Sequence, residues 1–63
     1  MEEKLFLTLV DGNRVLSFYK REDGSVYLDQ VDEGTHFKQR LELPDPDTFI
    51  NTVRDMGYQE KNA

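Results

Sequence analysis

The chain has no cysteine, no tryptophan, one histidine and two prolines in 63 residues. Without cysteine, disulfides, thiolate zinc sites and thiol redox chemistry are all excluded. One histidine does not make a His-rich metal site, and no metal or other cofactor is expected. The longest apolar run, Leu5 to Val10, is interrupted by Thr8 and falls far short of the roughly 18 residues a membrane span needs. The start, Met1-Glu2-Glu3-Lys4, is acidic, whereas a secretory leader opens on basic residues and ends at a small-residue cleavage site. No membrane association is therefore expected, and the expected location is the cytoplasm. Hydrophobic residues make up 37% of the chain and charged ones 33%, with a net charge of -5. A chain of this length forms one small domain and buries only about 60% of the surface its unfolded form exposes. Such domains tend to rely on disulfides, a metal or a partner chain. With the first two missing, a partner is expected.

What is present is a regular alternation. Residues 4–10, 14–20, 25–31 and 36–43 are rich in β-branched and aromatic types. They are separated by Asp11-Gly12-Asn13, Glu22-Asp23-Gly24 and Asp32-Glu33-Gly34. Turns of this chemistry at near-regular intervals predict an antiparallel meander. The period then changes. Pro44 and Pro46 cannot sit in a central strand. Asp45 suits a helix N-cap, Pro46 the first helical position, and Asp47 the positive end of the helix dipole. Phe49, Ile50, Val53 and Met56 recur on one helical face, and Gly57 suits the C-cap. The expected fold is α+β: a four-stranded antiparallel meander sheet followed by one C-terminal helix near residues 46–56, in order ββββα. Residues 1–63 form a single domain, ordered over about 4–58, with 59–63 a frayed tail.

Alternation divides each strand between two faces. The face under the helix should carry Leu5, Leu7, Leu9, Leu16, Phe18, Val26, Leu28, Phe37, Gln39, Leu41 and Leu43. The uncovered face then carries Phe6, Val10, Val15, Tyr19, Tyr27 and Val31, with Arg21, Lys38 and Arg40 around them and Asp29 and Glu42 among them. Cross-strand pairing alone would account for some of these residues. An exposed aliphatic and aromatic patch also marks a partner surface, and a homodimer is the expected occupant because closed two-fold pairing is the commonest assembly.

The order of four strands and a helix resembles the single-stranded nucleic-acid-binding modules of the Pur domain and of the positive-cofactor type of coactivator. So does the ending Leu41-Glu-Leu-Pro-Asp-Pro-Asp-Thr-Phe-Ile-Asn-Thr-Val, where a last strand turns through prolines into an amphipathic helix. The likeness spans residues 4–58 and is one of topology, with no diagnostic motif. It implies paired modules that contact nucleic acid through the sheet. Tyr19 and Tyr27 would then stack on bases, and Arg21, Lys38 and Arg40 would hold phosphates. The acidic charge departs from that pattern, because a phosphate backbone attracts lysine and arginine.

No catalytic constellation is visible. Ser17 and Ser25 lack an activating base, His36 stands alone at a strand end, and no glycine-rich phosphate loop or calcium-loop spacing occurs. The chain is expected not to be an enzyme. Two functions remain: a single-stranded nucleic-acid-binding, transcription-associated module, or an acidic protein-interaction module that serves as an adaptor or as inhibitor of a basic partner. In the second, the acidic turns would guide association.

Overall fold

Strand-favouring runs broken by glycine turns fold as their alternation dictates. The computed structural model of the chain describes residues 2–61. The strands are β1 (Glu3–Asp11), β2 (Arg14–Arg21), β3 (Val26–Asp32) and β4 (Phe37–Leu43), followed by the helix α1 (Pro46–Asp55) and a two-residue strand β5 (Gln59–Glu60). All pairings are antiparallel, in the spatial order β4-β3-β2-β1-β5. The first hairpin turns at Gly12-Asn13, with Gly12 at φ 61. Glycine tolerates that positive φ without the clash a Cβ would bring. The meander and helix are those expected from the sequence.

Register assigns the side chains to two faces. On the helix side, the rows across the sheet are Leu9–Leu16–Gln30–Gln39 and Leu7–Phe18–Leu28–Leu41. Leu9, Leu16, Phe18, Val26, Leu28, Leu43, Val53 and Tyr58 form the buried core, with Leu7, Leu41, Phe49 and Ile50 packed against it in part. Asp45 caps the helix by accepting from the Thr48 backbone N–H at 3.3 Å and its hydroxyl at 2.7 Å, which satisfies one of the donors a helix start leaves over.

Four residues expected in the core lie elsewhere or are more open. A register shift between Leu5 and Leu7 marks a β-bulge. It sets Leu5 opposite Tyr19 on the uncovered face and turns Phe6 toward Phe18, with ring centroids 6.3 Å apart. The assignments of Leu5 and Phe6 are thus exchanged relative to strict alternation, and Phe6 does not belong with the uncovered-face residues. A bulge adds one unpaired residue and so reverses facing for everything before it. Phe37 lies on the helix side opposite Asp32, but 46% of its surface is exposed, because α1 covers the middle of the sheet and not this end. Gln39, in the same strand, is also exposed. Met56 is 65% exposed; it caps a helix that stops at Asp55 and no longer faces the sheet.

The chain end also differs from expectation. Gly57 adopts φ 110. The Gly57 N–H donates to the Arg54 carbonyl at 3.0 Å and the Tyr58 N–H to the Val53 carbonyl at 3.1 Å. That pair of bonds is a Schellman motif, whose usual companion is an apolar contact between the residues here occupied by Val53 and Tyr58. Both are buried. The chain then returns along β1, pairing Gln59 and Glu60 with Val10 and Leu9, and the Lys61 N–H donates to the Thr8 carbonyl at 2.8 Å. Residues 59–61 are thus held, whereas the expected fraying at 62–63 lies outside the described residues.

Candidate binding face on the uncovered side of the sheet

Four rows of side chains cross the face opposite the helix. From one end they are Val10–Val15–Val31–Lys38, then Thr8–Ser17–Asp29–Arg40, then Leu5–Tyr19–Tyr27–Glu42, and last Glu3–Arg21. The residues predicted from the sequence to bind a partner, Val10, Val15, Tyr19, Tyr27 and Val31, are brought together here. So are Arg21, Lys38 and Arg40. Phe6 is replaced by Leu5, which is 54% exposed.

The cations are not idle. Arg40 holds Asp29 through two parallel bonds, Nε to Oδ1 at 2.7 Å and Nη2 to Oδ2 at 3.1 Å. Its Nη1 also donates to Glu3 at 2.9 and 3.2 Å. Arg21 approaches the same Glu3 carboxylate at 3.4 Å. The Arg21 guanidinium carbon sits 4.0 Å from the Tyr27 ring centroid, and that of Arg40 lies 5.6 and 5.7 Å from the Tyr19 and Tyr27 rings. Both fall within cation–π range. Glu3 comes from β1 and Arg40 from β4, so one ion pair spans the uncovered face over the two tyrosines. Sequence reasoning missed Glu3, because 37 positions separate it from Arg40 and only the folded sheet joins them.

Arg40 is pushed further above its already high value, first by the hydrogen bond to Asp29 and then by the one to Glu3. The Asp29 carboxyl is held below its ordinary range, chiefly by the Arg40 hydrogen bond, with desolvation opposing and the charges of Arg40 and Lys38 adding. A carboxyl with a lowered folded-state pKa contributes its full stabilisation above its unfolded value of about 3.9 and loses it as pH falls through the folded value. Urea unfolding of the wild type and of Asp29→Asn, at about pH 7 and about pH 2.5, is expected to show the larger acid loss in the wild type. Equal losses in both proteins would show that this pair contributes nothing to acid sensitivity.

The other carboxylates near the turns have structural work. Asp23 accepts from the Ser25 N–H at 2.9 Å and its hydroxyl at 2.6 Å, and Asp32 accepts from the Gly34 N–H at 3.0 Å. The Ser25 hydroxyl and N–H also hold the Asp23 carboxyl below its usual range. His36 is exposed in the β3–β4 turn at φ 57. Among the described residues, no group of three His, Asp or Glu side chains is placed to hold a metal ion. No helix among them is long and apolar enough to cross a membrane.

Comparison with known proteins adds no relative. No family model, no curated protein and no solved structure matches the chain.

Proposed function

We propose that the protein is a non-enzymatic interaction module, a homodimer whose uncovered sheet face receives a protein partner. The observation that carries this reading is the pairing of Arg21 and Arg40 with Glu3 and Asp29 over Tyr19 and Tyr27. The face is balanced in charge, with Arg21, Lys38 and Arg40 set against Glu3, Asp29 and Glu42. Tyrosine and arginine, gathered here in one cluster held by ion pairs, are residue types that dominate binding energy at protein interfaces. The net charge of -5 favours a partner with a basic surface, since complementary potentials speed encounter. The cytoplasm is the location this reading carries, because a cysteine-free chain draws nothing from an oxidising compartment.

The second reading is single-stranded nucleic acid. Tyr19 and Tyr27 favour it as stacking platforms, with Lys38 as the cation on this face that lacks an ion pair within 4 Å among the described residues. To use Arg21 or Arg40, a phosphate would have to displace a carboxylate that already holds them. Fluorescence anisotropy with a labelled single strand at low salt separates the two. We expect no binding up to about 100 μM, within the weak end of non-specific affinity. Capture from nuclease-treated extract should persist for the wild type and be lost for Tyr27→Ala. Saturable oligonucleotide binding, weakening with salt at about -0.7 per phosphate, would overturn the protein-partner reading in favour of the nucleic-acid one.

A further inference from the structure

The two outer edges of the sheet are treated differently by the fold. The β1 edge is shielded at one end by β5 and broken at the other by the bulge at Phe6. Both are ways in which proteins prevent an edge from pairing. The β4 edge, seven residues long, has no neighbouring strand on its outer side among the described residues and contains no bulge. All of its residues from Phe37 to Arg40, and Glu42, are exposed. An edge strand of that length offers a row of unpaired backbone donors and acceptors.

We infer that this edge is where two copies of the chain join, β4 against β4 in antiparallel register with Arg40 opposite its own counterpart. The inference rests on the self-association proposed above and specifies its surface. The argument is from register and charge. A two-fold axis normal to the sheet preserves facing, so residues that meet must lie on the same side of the sheet, which restricts pairing to registers centred on a residue. Only a centre at Arg40 uses the whole of Phe37–Leu43. In that register Lys38 of each copy meets Glu42 of the other, on the uncovered face, twice per dimer. Neither Lys38 nor Glu42 has an ion-pair partner within 4 Å among the described residues. On the helix side, exposed Phe37 meets Leu43, joining two apolar residues. The one like-charge meeting is Arg40 with Arg40, and each is already neutralised by Asp29 and Glu3.

Neighbouring registers are worse. A centre at Gln39 sets Lys38 against Arg40 twice, and like charges directly opposite repel. A centre at Leu41 sets Arg40 against Glu42 twice, but it runs Lys38 onto Pro44, which lies past the end of the strand and has no donor. The charges on β4 therefore count against the Gln39-centred register, and the strand's end at Leu43 followed by Pro44 counts against the Leu41-centred one. The product is a continuous sheet with both helices on one side and two uncovered faces side by side on the other, so the partner surface is doubled and left open.

Sedimentation equilibrium of the full chain tests this. The wild type should dimerise. Lys38→Glu alone, or Glu42→Lys alone, turns two attractive pairs into two repulsive ones and should raise the dimer Kd about tenfold or more. The double variant should restore it. Val31→Ala, on the uncovered face, should leave it unchanged. Circular dichroism confirms that each variant is folded, and amide exchange in the wild type should show β4 protection rising with protein concentration. A wild type that stays monomeric overturns self-association itself. A dimer that ignores both charge reversals overturns the edge pairing, and one that Val31→Ala disrupts overturns it and moves the contact to the uncovered face.

Discussion

Truncating Phe18 to alanine is expected to leave the chain largely unfolded at room temperature. Phe18 is fully buried in the central strand β2. It lies in the row Leu7–Phe18–Leu28–Leu41, and its ring meets Phe49 of α1 edge-on at 6.1 Å and Phe6 of the bulge at 6.3 Å. One side chain therefore joins the helix, the sheet and the bulged end of β1. Removing a buried aromatic costs about 3–5 kcal/mol, part of it lost transfer energy and part the cavity left behind. A 63-residue chain has a total stability of about 3–9 kcal/mol by the usual per-residue range. The loss thus consumes most of it. Urea unfolding monitored by circular dichroism measures the effect, with Leu5→Ala as the comparison. Leu5 is 54% exposed and its truncation should change stability by less than about 1 kcal/mol. If Phe18→Ala were no worse than Leu5→Ala, the helix would be packing on some other part of the sheet.

Replacing Tyr58 by alanine should come second, at about 3–4 kcal/mol, or a fall in Tm of more than about 12 °C for a domain of this size. Tyr58 is 8% exposed and follows the glycine that ends α1. Its ring is buried at the point where the chain reverses to lie along β1 as β5. Losing it empties a site in the core and frees the return. Amide exchange at Lys61, whose N–H donates to Thr8, reports the second effect separately from global unfolding. A change below about 1 kcal/mol, with Lys61 still protected, would show that β5 holds itself in place without the ring.

Much of this fold is legible in the amino-acid order because the signals are local. Gly12, Gly24 and Gly34 mark the turns, alternation marks the strands, and Asp45-Pro46 marks the helix start. Where local order misleads, the cause is a small offset or a distant contact. Leu5, Leu7 and Leu9 read as one face, but a single extra residue at Phe6 rotates Leu5 to the other side, and no glycine or proline announces it. Met56 keeps the helical spacing, yet the spacing outlasts the helix by one residue. Tyr58 follows a glycine and precedes polar residues, which reads as an end, and its place in the buried core depends on the chain reversing after α1 to lie along β1. The candidate face was legible as a set of side chains on one side of the sheet. Its electrostatic state was not, because Glu3 comes from the far end of the chain and removes from Arg21 and Arg40 much of the positive character that their types imply.

The Glu3–Arg40 ion pair has a kinetic meaning. It links the first strand to the fourth, at a sequence separation of 37, and the two can meet only after β2 and β3 are already docked between them. Closing so long a loop is costly in entropy until intervening contacts hold its ends together. The pair is therefore expected to form on the native side of the folding barrier. Contacts made there leave the folding rate untouched and act on the rate of escape from the native state. In a domain with a thin core, a bond drawn across the sheet from β4 to β1 is expected to act as a brake on opening of the uncovered face.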